Sequence, residues 1–285
     1  MLKIQNLGTS REIIFDNINY VLNQIDYGSS GATHTTFKGI NQIGAYLTNS
    51  TIDTREISVM GYILANSKSD MQIRKHELYK LLNPLDKFIL INDGYKIECV
   101  AESTVKFAVD KTENNDYVAK FEIVALCNNP CFVPVNAINV NIAQWQGEFH
   151  FPLEIPKTGV VMGTRIPSTI INISNTGDIE TGIVIKFTAK SSVTNPSLLN
   201  VNTREYIKIN RVMLAGEEIS INTNYGQKAV TSLYNNTTTN ILNYLDFEST
   251  FLQLPLGDNI FRYDADENIS NIEISINYSP KYLGV

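Results

Sequence analysis

Phe88-Ile89-Leu90-Ile91-Asn92-Asp93-Gly94-Tyr95-Lys96-Ile97-Glu98-Cys99 places two short apolar runs on either side of an Asn-Asp-Gly turn signal. Glycine accepts the positive φ that tight hairpin turns demand, so the stretch predicts a β-hairpin. The pattern continues outward in both directions. Upstream, Ile57, Val59, Gly61 and Ile63 alternate with Ser58, Met60 and Tyr62, the period-two mark of a half-buried strand. Downstream, Thr104 to Val109, a polar loop at Asp110 to Asp116, and Tyr117 to Leu126 form a second pair. In its last strand Lys120 and Glu122 face away from Phe121 and Ile123, toward solvent or a subunit contact that tolerates charge.

One segment breaks the β pattern. Ser69-Asp70-Met71-Gln72 reads as a capping box opening a helix that runs to about Leu82 and stops at Asn83-Pro84. Met71, Leu78, Leu81 and Leu82 make its apolar stripe, with Arg74, Lys75, Glu77 and Lys80 toward water. The prolines and asparagines of Asn128-Asn129-Pro130-Cys131-Phe132-Val133-Pro134 mark a domain boundary, giving domains 1–133 and 134–285. The second half is again strand after strand. Ile171 and Ile173 lead to Asn175-Thr176-Gly177-Asp178, then Ile183, Ile185 and Phe187 follow, and the chain closes on Ile272, Ile274, Ile276 and Tyr278. Strands this close together without helices between them predict an antiparallel sandwich. The fold class is therefore mainly β with one clear helix.

Composition excludes several classes. With 43% hydrophobic and 18% charged residues, the 285-residue chain has enough apolar surface for real cores and is not disordered. The net charge of −6 supplies no basic surplus, so no nucleic-acid partner is expected. No apolar stretch approaches the roughly 20 residues of a membrane span, and the opening Met-Leu-Lys-Ile-Gln-Asn lacks a signal-peptide run, so no membrane partner is expected and synthesis in a cytoplasm is. Asparagine accounts for roughly one residue in nine, which fits either many turns or an AT-rich genome.

The residues of catalysis are sparse. His34, His76 and His150 are widely spaced, and His76-Glu77 lacks the second histidine of a zinc helix, because Lys80 stands there. Cys127 and Cys131 have no second ligand pair and read as free thiols rather than a pair that meets on a metal or oxidant, and with Cys99 they make an odd, sparse set that implies no disulfide framework. Gly28-Ser29-Ser30-Gly31 and Gly159 to Gly163 lack the Lys-Ser/Thr of a phosphate loop. The clusters Glu217-Glu218 and Asp264-x-Asp266-Glu267 are the weak candidates for an acid pair. Trp145 is either a junction or interface anchor or, less favoured, a lectin platform. No catalytic, metal or cofactor site is assigned, and no ligand-binding residue is named.

The order of elements resembles the siphovirus-type distal tail protein family, often called Dit. The resemblance rests on Arg55-Glu-Ile-Ser-Val-Met-Gly61, the helix ending Leu78-Tyr-Lys-Leu-Leu-Asn-Pro84, the hairpin about Asn92-Asp-Gly94, and Phe121-Glu-Ile-Val-Ala-Leu-Cys-Asn-Asn-Pro130-Cys-Phe132. It continues through Ile173-Ser-Asn-Thr-Gly177-Asp178, Gly216-Glu-Glu-Ile-Ser-Ile221, Leu254-Pro-Leu-Gly257-Asp-Asn259 and Tyr282-Leu-Gly284. The resemblance implies a ring-forming domain at 1–133 and a galectin-like β-sandwich at 134–285. It implies a non-enzymatic virion component, a hexameric ring joining the tail tube to the tail tip or baseplate. Its implied partners are further copies of itself, the tail tube protein, the tail-tip hub protein and receptor-binding proteins. A wall-polysaccharide-binding lectin module is the alternative. The long polar segment Tyr27 to Asn49 is expected to order as an arm on an adjacent subunit or the tube, or else to form an irregular strand pair within the monomer.

Overall fold

The computed structural model describes residues 1–142, 145–147, 163–165 and 169–285. The chain divides into two compact units, one of Met1–Val135 with Tyr282–Val285 and one of Asn136–Lys281. The final four residues thus belong with the first unit.

The first unit contains β1 (Lys3–Asn6), β2 (Glu12–Ile14), β3 (Tyr20–Asp26), β4 (Ala32–Phe37), β5 (Tyr46–Ile52) and β6 (Arg55–Leu64). The helix α1 (Lys68–Leu81) follows, then β7 (Lys87–Asn92), β8 (Tyr95–Ala101), β9 (Lys106–Phe107), β10 (Val118–Cys127) and β11 (Val133–Pro134). Nine of these strands form one antiparallel sheet ordered β2-β1-β7-β8-β10-β6-β3, with β9 on β10 and β11 on β8. The predicted hairpin is β7–β8, closed by Asp93 and Gly94 at φ 48° and 86°, the pair of positive values that a two-residue primed turn requires. The two long strands β6 and β10 pair from Leu64↔Val118 to Arg55↔Cys127, and their inward residues Ile57, Val59, Ile63, Phe121 and Ile123 build the core.

Gly61 shares that inward face for a steric reason. A Cβ there would stand 2.6 Å from the Val21 carbonyl oxygen and 2.8 Å from the Phe121 ring. The carbonyl belongs to the paired strand β3 and cannot yield alone. Gly61→Ala is expected to cost about 2 kcal/mol, read as a lowered denaturant midpoint. An unchanged midpoint would show that β3 slides without penalty.

The helix begins two residues earlier than the sequence pattern suggests. Ser67, not Ser69, is the N-cap, its Oγ accepting the Asp70 N–H at 3.2 Å, while the Asp70 carboxylate accepts the Asn66 N–H at 3.0 Å. Asp70 thus takes the reciprocal role given to Gln72. Met71, Leu78, Leu81 and Leu82 are buried as expected. Arg74 and Lys75 are half-buried instead of facing water: Arg74 pairs with Asp70 at 2.9 Å, and the Lys75 ammonium lies 4.9 Å over Phe107.

In the second unit the strands are β12 (Ile138–Asn141), β13 (Trp145–Gly147), β14 (Gly163–Arg165), β15 (Ile170–Asn175), β16 (Thr181–Ala189), β17 (Val193–Thr194), β18 (Ser197–Asn200) and β19 (Tyr206–Lys208). They continue as β20 (Val212–Met213), β21 (Glu218–Asn222), β22 (Ala229–Tyr234), β23 (Thr237–Asn240), β24 (Gln253–Leu254), β25 (Gly257–Asp264) and β26 (Ile272–Tyr278). A seven-stranded sheet follows β12-β26-β16-β21-β22-β23 with β24 on β16, and a four-stranded sheet follows β15-β25-β18-β19. Both sheets send side chains into one core, including Phe187, Ile221 and Ile276 from the first and Leu198, Ile207 and Phe261 from the second. This is the antiparallel sandwich expected of the second half.

The turn at Asn175–Asp178 does not return the chain along its own sheet, because β15 lies in the small sheet and β16 in the large one. Buried asparagines hold such corners. Asn175 donates to the carbonyls of Ile179 at 3.1 Å and Leu254 at 2.9 Å and accepts the Gly177 N–H at 3.0 Å. Asn259 donates to Pro255 and Gly257, each at 2.9 Å. Asn17, Asn41, Asn195, Asn235, Asn236 and Asn268 adopt positive φ, so the turn reading of the asparagine excess has a structural basis.

Candidate functional site

Between β3 and β6 the chain leaves the sheet and forms a separate ribbon, β4 paired with β5. It is a strand pair within the monomer, yet every residue of both strands is exposed. Thr36↔Leu47 and Phe37↔Tyr46 pair at its outer end, beyond a register shift after Thr35. Phe37, Ile40, Ile43, Tyr46 and Leu47 present their apolar surface to solvent, with Ile40 at 97% and Ile43 at 100% exposure. Across residues 32–52 the sole formal charge is Lys38. An isolated two-stranded hairpin is marginal in water, and depletion of charge with aromatic enrichment characterises interface cores.

The base of the ribbon is held firmly. Asp53 N–H donates to the Gly31 carbonyl at 2.9 Å, and Thr33 Oγ1 donates to the Asp53 carboxylate at 2.9 Å. Just beyond stands Arg55, only 4% exposed. Its Nη1 donates to the carbonyls of Tyr27 at 3.3 Å and Gly28 at 3.4 Å, and its Nη2 to that of Leu283. The guanidinium lies 5.0 Å over the Phe132 ring, which Tyr27 meets edge-on at 5.4 Å. Arg55 therefore ties both the entry to the ribbon and the chain's last residues to one point. The alternation of β6 places Arg55 in phase with Ile57 and Val59, the signal from which its burial could have been read.

The other candidates are dispersed over both units. His34 Nδ1 lies 2.8 Å from Ser50 Oγ across the ribbon, and His76 is an exposed helix residue. Glu217 is buried, bound to Arg211 at 3.0 Å, to the Ser232 hydroxyl at 2.5 Å and to the Leu214 N–H at 2.9 Å. Glu218 pairs with Lys186 at 2.8 Å, and Asp264 accepts the Ala265 N–H at 2.8 Å. Asp266 binds Asn195 at 2.8 Å and Lys208 at 2.9 Å, which hold its carboxyl below the usual range, and Glu267 accepts from Thr194 at 3.2 Å. Cys127 lies beside Cys99 rather than reaching Cys131, the sulfurs 2.7 Å apart. Among the described residues no three His, Cys, Asp or Glu side chains gather as a metal site, and no helix is long and apolar enough to cross a membrane. The Trp145 side chain, His150 and residues 159–162 lie outside the described residues.

On the surface of the second unit, Phe247 is fully exposed between Asp246 and Glu248. Tyr206 donates to Asp246 at 3.0 Å and Glu248 at 3.3 Å. Desolvation and these carboxylates push the Tyr206 hydroxyl up to about 12. Hydrogen bonds, led by that from Asn210, lower the Asp246 carboxyl.

Residues 7–127 match the family described as phage tail protein RIFT-related domain, and residues 176–282 the siphovirus-type tail component, C-terminal domain. Among solved structures the chain is similar to the Dit protein of phage SPP1, presented as a paradigm of the hub adsorption apparatus in phages infecting Gram-positive bacteria. That likeness covers 99% of each chain at 11% identity with a TM-score of 0.69. A chain of the phage P2 baseplate in its calcium-activated conformation is similar over 100% of this chain and 99% of that one, at 12% identity and a TM-score of 0.53. At such identities the likeness is one of fold. Comparison with curated proteins yields no match.

Proposed function

Because the chain belongs to the siphovirus-type distal tail protein family and is a phage tail component, we propose that six copies close into a ring joining the tail tube to the tail tip or baseplate. The observation that carries this reading is the apolar, nearly uncharged β4–β5 ribbon, which stands outside the nine-stranded sheet of its unit with every strand residue exposed. Its occupant is a neighbouring copy. A head-to-tail interface, in which a projection on one subunit meets a different surface on the next, generates a ring when its rotation closes. The ribbon is such a projection, and burying its aromatic pair removes the solvent exposure that leaves a lone hairpin marginal. The role is architectural, without catalysis, in the virion tail. The tail tube protein and the tail-tip hub protein are the axial partners, and receptor-binding proteins attach at the periphery, with the first domain (1–133) forming the ring and the second (134–285) a galectin-like sandwich.

Light scattering of the purified chain, followed by negative-stain imaging, tests this. The expected species has a mass near six times 31.9 kDa and sixfold symmetry. A monomer at every concentration, with and without tube protein, would sink the ring reading. A second reading, binding of wall polysaccharide, draws on Phe247, whose exposed ring beside Asp246 and Glu248 offers the stacking face and acceptors that sugars use. Titration of wall polysaccharide against the native chain and Phe247→Ala tests it. Equal heats from both would remove Phe247 from any such site.

A further inference from the structure

Cys99 on β8 and Cys127 on β10 are buried at 1% and 0% exposure, with their sulfurs 2.7 Å apart. The two strands pair at Ala101↔Ala125 and Val100↔Leu126, so the next opposed pair in that register is Cys99 and Cys127. Glu102 N–H donates to the Val124 carbonyl at 3.0 Å, which makes that couple a hydrogen-bonded pair. Alternation along an antiparallel ladder then makes Cys99 and Cys127 a non-hydrogen-bonded pair, the kind whose Cα atoms lie about 4.5 Å apart with side chains closest. That separation falls inside the roughly 4.4–6.8 Å that a disulfide spans, and the S–S bond itself is about 2.05 Å. Small shifts of two side chains complete the bond, with no movement of the sheet.

We propose that Cys99 and Cys127 are a cross-strand redox pair that closes into a disulfide on exposure to a hydroperoxide. The oxidant must be small, because neither sulfur reaches solvent. One thiol attacks the peroxide O–O bond, giving a sulfenic acid and releasing water. The second thiol attacks that sulfur, the S–S bond forms, and the hydroxyl leaves as a second water. In total two thiols and one hydrogen peroxide give one disulfide and two waters, with sulfur oxidised and peroxide oxygen reduced. The neighbouring Cys127 and burial push the Cys99 thiol up, keeping the reactive thiolate scarce, so the closure is slow. The bond staples residues 28 apart in the chain, around a loop that includes β9. It joins β8 to β10 within the central sheet of the first unit.

The test uses the full chain purified under reductant and then incubated with hydrogen peroxide. After denaturation and alkylation, the expected product carries one alkyl group instead of three, and its peptide map joins the Cys99 and Cys127 peptides. The melting transition of the first unit is expected to rise by roughly 5–10 °C and to revert with reductant. Cys99→Ala is expected to show neither linkage nor rise, and Cys131→Ala both. Three alkylated cysteines after oxidation, sulfinic acid at Cys99 or Cys127, or a linkage that includes Cys131 would overturn the proposal.

Discussion

A chain from which residues 32–52 are excised, with Gly31 joined to Asp53, is expected to fold normally and to lose every species larger than the monomer. The excision is structurally mild. None of the removed strand residues is buried, and the Gly31 carbonyl already accepts the Asp53 N–H at 2.9 Å, so the two ends are neighbours. The core of the first unit lies among β1, β6, β7, β8, β10 and the helix, and is untouched. What disappears is the exposed surface of Phe37, Ile40, Ile43, Tyr46 and Leu47. Aromatic anchors at an interface centre are each worth about 2 kcal/mol or more. Phe37→Ser with Tyr46→Ser is therefore expected to weaken assembly by at least about a hundredfold while the melting temperature of the dissociated monomer stays unchanged. Light scattering and differential scanning calorimetry read the two quantities separately. A ring that survives the excision would place its contacts on the sheet faces instead.

Glu217→Ala is expected to destabilise the second unit by about 3 kcal/mol, seen as a melting transition lower by roughly 6–12 °C. The carboxylate is 1% exposed and satisfies three donors at once, the Arg211 guanidinium, the Ser232 hydroxyl and the Leu214 N–H. Truncation leaves all three without it. Arg211 is 23% exposed and recovers some solvation, which keeps the cost at the lower end for a broken buried pair. Glu217→Gln, retaining an acceptor oxygen, is expected to cost about half as much. A glutamate poised for catalysis behaves in the opposite way, since its removal relieves an unfavourable environment. A melting temperature unchanged or raised in Glu217→Ala would return this residue to the list of possible acids.

Much of the architecture was legible in residue order. Alternation in Ile57 to Ile63 and Phe121 to Ala125 marked the strands and their inward faces, because a strand's side chains point to opposite sides in turn. Asn92-Asp93-Gly94 marked the hairpin, because the turn needs positive φ and those residue types supply it. Asn83-Pro84 marked the end of the helix. The helix opens at Ser67 and not at Ser69 because the hydrogen bonds of Ser67 and Asp70 form there. The family resemblance was carried by the same turns and strand ends, through their order and spacing.

What the residues could not disclose were the relations between distant segments. Local chemistry predicts that Asn175-Thr176-Gly177-Asp178 turns, but not that the chain crosses there from one sheet to the other. That depends on Asn175 bonding Leu254, 79 residues away. The alternation of β6 gives Arg55 its inward phase, but not its partners, the Phe132 ring and the Leu283 carbonyl. Cys99 and Cys127 read as unrelated thiols until the sheet register sets them face to face. By itself the sequence determined the strands, the turns and the core-facing residues, since these follow from the periodicity and dihedral preferences of near neighbours. Only the tertiary structure decided which segments became partners. Pairing over long separations is won by the summed burial of whole sheets, and no single segment carries that energy in its own composition.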